Sequence, residues 1–279
     1  MNSNDGADDA PKRGVLDRAL VEGLSAAVAA AAVAILRISR SALDTRTKSD
    51  ATPVTAADEH SQALLLAAAS RLLPGVDMVA EEMAMLPAEP SDPFVLIDPL
   101  DGTKEYVSGS GEYTVNLAVV QAGRAVAGFI GVPAAGLLYR GIAGLGAERL
   151  QLLPDGRLAN PTPIRTRTAS QHDLVGTVSR SHLDPGTVAL LDRLGVKTRL
   201  PCGSALKFCR VAEGSADVYP RLATTCEWDV AAGHALIEAA GGAVTSPAGT
   251  PLRYGNAASD YRVPAFIAWG DRSLIPPAG

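Results

Sequence analysis

Residues 94–106 read FVLIDPLDGTKEY, and this stretch constrains the fold more than any other part of the chain. Four consecutive apolar residues read as a buried strand, and the aspartates that end it cannot enter an apolar interior unpaired. The strand must finish at the rim of a sheet, where a loop can aim Asp98 and Asp101 into one crevice, as strand ends commonly do at ligand sites in α/β folds. A purely conformational reading stands beside this one: aspartate caps a turn, Pro99 fixes φ and Gly102 takes the special dihedral. The motif alone leaves both open.

The rest of the chain provides a sheet for that strand. Residues 15–43 read as one long Ala- and Leu-rich helix, and a second helix runs from 56 to 73, where Pro74-Gly75 stops it. After the aspartates, residues 114–144 read as a meander of apolar strands with turn signals at 122–124 and 133–136. From about residue 161, strands and helices alternate, with helices near 186–194, from Ser204 and from Asp229. The fold class is therefore α/β. A loose tail spans 1–14, an α+β half spans 15–159, an α/β half spans 160–279, and the Pro-rich stretch 152–170 marks the boundary.

Composition limits the partners. At 279 residues and 47% hydrophobic the chain can bury a sizeable core, and its net charge of −5 excludes a general electrostatic binder of nucleic acid. A phosphorylated ligand would need local help. The three cysteines form no CxxC pair, which argues against a disulfide framework or a zinc ribbon and fits a reducing cytoplasm. The apolar run Leu24 to Leu36 is shorter than the roughly 20 residues of a membrane span. No phosphate-cradling GxxxxGK[ST] and no nucleophile elbow occurs.

Other acids accompany the motif. Glu81 follows a short apolar run, and Asp229 opens a helix; singly they read as a solvated acid and a helix N-cap or first-turn charge. If Glu81, Asp98, Asp101 and Asp229 converge, they require cations, because two like charges about 4 Å apart cost roughly 4 kcal/mol at an effective dielectric near 20. An all-oxygen set favours Mg²⁺ or Mn²⁺ over zinc.

Together, DPLDGT, the upstream AEE and PVTAAD, and the downstream EWDVAAGHALIEAAGG resemble the ordered motif set of the inositol monophosphatase superfamily. Within it, DGTKEY, SRSH and GSALKFCRVAEGSADVYPR resemble the CysQ-type 3'(2'),5'-bisphosphate nucleotidases. The resemblance implies a layered αβαβα sandwich and a lithium-sensitive phosphomonoesterase with two or three Mg²⁺ ions, for which Mn²⁺ can substitute. It implies conversion of adenosine 3',5'-bisphosphate to AMP, with PAPS as a second nucleotide, in sulfur metabolism. It makes Glu81, Asp98, the Leu100 carbonyl, Asp101 and Asp229 metal ligands, and has Gly102 and Thr103 present backbone N–H groups to the scissile phosphate. Glu81 and Thr103 would orient the attacking water, and Asp58 would take part in proton transfer, although Thr55-x-x-Asp58 also reads as a capping arrangement. Ser179, His182, Gly203 and Lys207 would lie near the nucleotide. An inositol or sugar phosphatase of the same fold is the nearest alternative. A non-catalytic nucleotide-binding protein is a second, against which the four acids and Thr103 all stand.

Overall fold

The computed structural model describes residues 16–38, 46–47, 53–170, 173–180 and 183–276, so the expected tail over 1–14 lies outside the described residues. In chain order, α1 (Arg18–Arg37) and a short antiparallel pair, β1 (Arg46–Thr47) and β2 (Pro53–Val54), lead to α2 (Ala56–Leu72). Then come β3 (Asp77–Ala80), β4 (Phe94–Asp101), α3 (Thr103–Ser108), β5 (Thr114–Gln121), β6 (Arg124–Val132), β7 (Leu137–Ile142), β8 (Gly146–Leu152) and β9 (Leu158–Ile164). The second half holds β10 (Val175–Ser179), α4 (Pro185–Arg193), β11 (Thr198–Cys202), α5 (Leu206–Ala212), β12 (Val218–Arg221), β13 (Thr225–Cys226) and α6 (Glu227–Ala239). It closes with β14 (Ala243–Thr245), β15 (Arg262–Val263) and β16 (Phe266–Trp269).

Strands β3 to β9 form one seven-stranded sheet in sequence order, antiparallel except for the β3–β4 pair. Both of its faces are covered, which explains why β4 and β5 are apolar without interruption. Val95, Ile97, Val115, Leu117 and Val119 face α1 and α2, whereas Phe94, Leu96, Ala118 and Val120 face α6. On the far side of α5 and α6 lies a five-stranded sheet of order β11-β10-β12-β16-β14, with α4 on its outer face. The result is the αβαβα sandwich that the motif resemblance implies.

Helix α6 is the shared layer, and two glycines let it sit against the first sheet. Gly128 on β6 and Gly141 on β7 are register partners. A Cβ on Gly128 would fall 2.1 Å from the Ala232 carbonyl oxygen, and one on Gly141 would fall 2.4 Å from the Leu236 Cα. Helix and sheet therefore meet backbone to backbone.

Three local features depart from the sequence reading. Helix α1 ends at Arg37, with Ile38 extended. Its 20 residues, with an 18-residue stretch at mean hydropathy 2.1, are longer than the run used to discount a span, but ten of them are buried, against α2 and the first sheet. Part of the Pro-rich stretch read as a boundary is the edge strand β9, where Pro161 and Pro163 remove no donor from an interior ladder. Helix α6 starts at Glu227 rather than Asp229, because Cys226 caps it.

Candidate active site

The loop after β4 shows how two aspartates three positions apart reach one cleft. In a regular strand residues i and i+3 point to opposite faces. Here Asp98 pairs with Asn116 and Asp101 with Thr114, so three steps on β4 match two on β5. That extra residue is a β-bulge, which brings both carboxylates to one side. Pro99 is tolerated there because the ladder is already interrupted, and its carbonyl accepts a 2.7 Å hydrogen bond from the buried Ser61 hydroxyl. Glu81 arrives from the neighbouring strand, its amide donating to the Ile97 carbonyl at 3.1 Å as a continuation of the β3–β4 ladder. Asp229 comes from the other half, at the third position of α6. Its Oδ2 accepts from the Cys226 amide at 3.2 Å and from the Thr225 hydroxyl.

These groups line one cleft of about 240 Å³ together with Leu100, Gly102, Thr103, Ser179, Gly203 and Lys207. His182 lies outside the described residues. The remaining expected residue, Asp58, sits behind the cleft wall and has two tasks at once. Its Oδ2 accepts from the Thr55 amide at 2.8 Å and hydroxyl at 2.7 Å, completing a capping box on α2, while its Oδ1 accepts from the Thr103 hydroxyl at 3.0 Å. The capping reading and the site reading of Asp58 are therefore compatible.

Gly102 carries the junction between the halves. Its φ of 87° is left-handed, and a Cβ there would stand 2.2 Å from the Ser204 Oγ. Ser204, also left-handed at φ 51°, lies 2.8 Å from the carbonyls of both Asp101 and Glu112 through its hydroxyl. That conformation delays the start of α5 to Leu206. The Glu112 carboxylate accepts both the Gly203 amide at 2.9 Å and a two-pronged Arg180 guanidinium at 2.7 and 2.8 Å. The Arg180 hydrogen bond is the main reason the Glu112 carboxyl sits below its ordinary value.

The cleft brings acids and cations together. Burial pushes the Asp98 carboxyl well up, and the charges of Glu81, Asp101 and Asp229 push it further. Asp101 is raised to about 6 by burial and by Asp229, against the pull of Lys207 and Arg221. Burial raises Asp58 as well, opposed by its hydrogen bonds from Thr55 and Thr103. The same lining holds three cations, Lys104, Lys207 and Arg221, and a further carboxylate, Glu105. Lys207 is buried, and its ammonium donates to the carbonyls of Ser204 at 2.7 Å and Cys202 at 3.3 Å, 5.2 Å from the Tyr219 ring centre. Burial works against the charge of Arg221, but Tyr219, Asp229 and Asp101 more than restore it. The sequence reading did not single out Arg221 or Lys104, although both lie within the quoted motifs, at the end of DVYPR and inside DGTKEY.

The carboxylates of the cleft suit a hard divalent cation by the chemistry of their donors. All are oxygens, and mutual repulsion drives protons onto them unless a cation takes their place. Among the described residues no three His, Cys, Asp or Glu side chains form a closed metal cage. Such a cage is not required, since Mg²⁺ is ordinarily held by one or two carboxylates and keeps water and phosphate oxygens as its remaining ligands.

Comparison with known proteins fits this geometry. The sequence model of the inositol monophosphatase family matches residues 18–268. The protein of Escherichia coli strain K12 named 3'(2'),5'-bisphosphate nucleotidase CysQ is 36% identical over 223 residues, spanning 76% of this chain and 83% of its own. Among solved structures, CysQ from Bacteroides thetaiotaomicron superposes with a TM-score of 0.74 at 31% identity, over 91% of this chain and 97% of that one. The inositol monophosphatase from Anabaena gives 0.72 at 27% identity, over 93% and 97%.

Proposed function

The chain belongs to the inositol monophosphatase family, and from that premise we propose that this phosphatase is a Mg²⁺-dependent 3'(2'),5'-bisphosphate nucleotidase, converting adenosine 3',5'-bisphosphate to AMP and phosphate. The observation that supports the reading is one cleft lined both by four carboxylates that suit metal ions and by three cations. A substrate with two phosphates matches it, one phosphate to be cleaved beside the carboxylates and one to be held by the cations.

Glu81, Asp98, the Leu100 carbonyl, Asp101 and Asp229 would hold the metal ions, two or three in number. When bound, the ions supply positive charge that stabilises the attacking and leaving oxygens and acidifies water. The protein's own groups do the rest. Thr103 gives its hydroxyl proton to Asp58, which leaves its lone pairs to accept a hydrogen bond from a water in the cleft. Glu81 offers that water a second acceptor and so fixes its line of attack. The proton lost on attack can pass through the Thr103 hydroxyl to Asp58, whose burial raises its affinity for it. The new P–O bond forms to the water oxygen as the bond to the ribose oxygen breaks, and the departing oxygen takes up a proton from solvent water to leave AMP. The N–H groups of Gly102 and Thr103, at the start of α3, would receive the phosphoryl oxygens.

The test is phosphate release from adenosine 3',5'-bisphosphate, PAPS, inositol 1-phosphate and fructose 1,6-bisphosphate, with Mg²⁺, with Mn²⁺, with added Li⁺ and with chelator. The expected result is a preference for the bisphosphorylated nucleotides, loss of activity in chelator and inhibition by Li⁺. A higher kcat/KM for inositol 1-phosphate would overturn the nucleotidase reading.

A further inference from the structure

The cations in and beside the cleft are of unequal availability. Arg180, just outside the cleft lining, is committed to Glu112 by two hydrogen bonds and to the Pro201 carbonyl by a third at 3.0 Å. Lys207 is only 3% exposed and spends its ammonium on two backbone carbonyls. Arg221 is held beside Tyr219 and answers the charges of Asp101 and Asp229, so it serves to balance those carboxylates. Lys104 differs from all three. It lines the same cleft, its side chain is exposed, and among the described residues it has no hydrogen-bond or ion-pair partner.

Its position in the chain adds to this. Lys104 follows Thr103 in α3, so the backbone that would receive the cleaved phosphate also carries this ammonium. Successive helical residues diverge by about 100°, so Lys104 serves a place in the cleft other than the one at Thr103. The next residue, Glu105, also lines the cleft. That side chain turns inward toward Gly102 and Gly203, coming within 3.2 Å of where a Cβ on either would stand. A long, hydrated ammonium with three donors can meet a phosphate over a range of positions, and its rotamer freedom is given up only when the anion arrives.

We propose that Lys104, rather than Lys207, is the specificity-determining contact for the second phosphate of a bisphosphorylated substrate. This rests on the reading of the cleft as a bisphosphate site. Lys207 then shapes the 202–204 loop from within, and Lys104 senses whether the substrate carries a second anion.

The experiment measures kcat/KM for adenosine 3',5'-bisphosphate and for inositol 1-phosphate in wild type, Lys104→Ala and Lys104→Arg, with thermal unfolding as a folding control. Loss of one charge-assisted phosphate contact should lower the bisphosphate value by about 10- to 100-fold in Lys104→Ala, mainly through KM. The monophosphate value should change by no more than a few-fold, and Lys104→Arg should recover most of the loss. The bisphosphate KM of wild type should also rise more steeply with KCl than that of Lys104→Ala. If wild type prefers the bisphosphate and Lys104→Ala keeps that preference, the inference is overturned while the nucleotidase reading stands. If wild type shows no such preference, the nucleotidase reading fails and the inference fails with it. Equal losses on both substrates would make Lys104 a general phosphate contact and also overturn it.

Discussion

Replacing Gly128 by alanine adds one methyl group far from any charge, yet the packing requires it to damage both stability and turnover. The new Cβ would lie 2.1 Å from the Ala232 carbonyl oxygen and 2.8 Å from its carbonyl carbon, where ordinary contacts are about 3.5 Å. Neither side can yield by rotating a side chain, since one is an inner strand of a seven-stranded sheet and the other is helix backbone. Helix α6 must retreat by about 1 Å, and overpacking of this kind costs about 3 kcal/mol, the upper end of its usual range. For a chain of this size that corresponds to a fall in Tm of about 5 °C. The same retreat draws Asp229 away from Asp98 and Asp101, and a misplacement of about 1 Å can cost about 100-fold in rate. Differential scanning fluorimetry and phosphate release under Mg²⁺ read the two effects on one preparation. A variant that melts within about 2 °C of wild type with undiminished kcat/KM would refute the backbone-to-backbone packing and the coupling of α6 to the site.

Three further outcomes are expected. Asp98→Asn should reduce turnover at least about 1000-fold while leaving the chelated protein as stable as wild type or more so, because the substitution removes a buried charge that its neighbours repel; unimpaired Mg²⁺-dependent turnover would remove Asp98 from the site. Asp58, Asp98 and Asp101 hold protons more tightly folded than unfolded, so their contribution to stability is full below the ordinary aspartate value of 3.8 and is lost as pH rises, through about 6 for Asp101. Urea titrations in chelator from pH 4 to 8 should show that decline and Mg²⁺ should offset it at the upper end, whereas stability that rises across this window more in wild type than in Asp98→Asn would contradict the assignment. Finally, Arg180→Ala and Glu112→Ala should each raise KM for the nucleotide by freeing the Gly203 amide region, and the double variant should be scarcely worse than either; strictly additive effects would show that the pair does not act as one unit.

The apolar runs carried the architecture, and the acids carried the site, because both are written in residue type. What was hidden depends on partners distant in sequence. Nothing in DPLD marks a bulge, since the extra residue exists only relative to β5. The start of α6 at Glu227 was missed because cysteine is not among the usual capping residues, and α5 was begun two residues early because a left-handed serine is uncommon. Prolines at 161 and 163 argued against a strand that an edge position permits. Sequence likewise cannot show that the Lys207 ammonium is folded back onto its own loop. Arg221 ends a strand whose own acid, Asp217, pairs instead with Arg167, and its interaction with Asp101 is not visible in sequence.

The position of α6 also has a consequence for how the protein is made. All seven strands of the first sheet lie before residue 165, but the helix that covers one of their faces begins only at Glu227. A ribosome adding about 5–20 residues per second leaves that apolar face uncovered for several seconds after the last strand emerges. During this interval Phe94, Leu96, Ile130 and Val132 are available to chaperones and to other nascent chains. Truncations placed anywhere between the two sheets should therefore yield insoluble N-terminal fragments, and supplying residues 165–279 as a separate chain should restore their solubility by returning the missing helix.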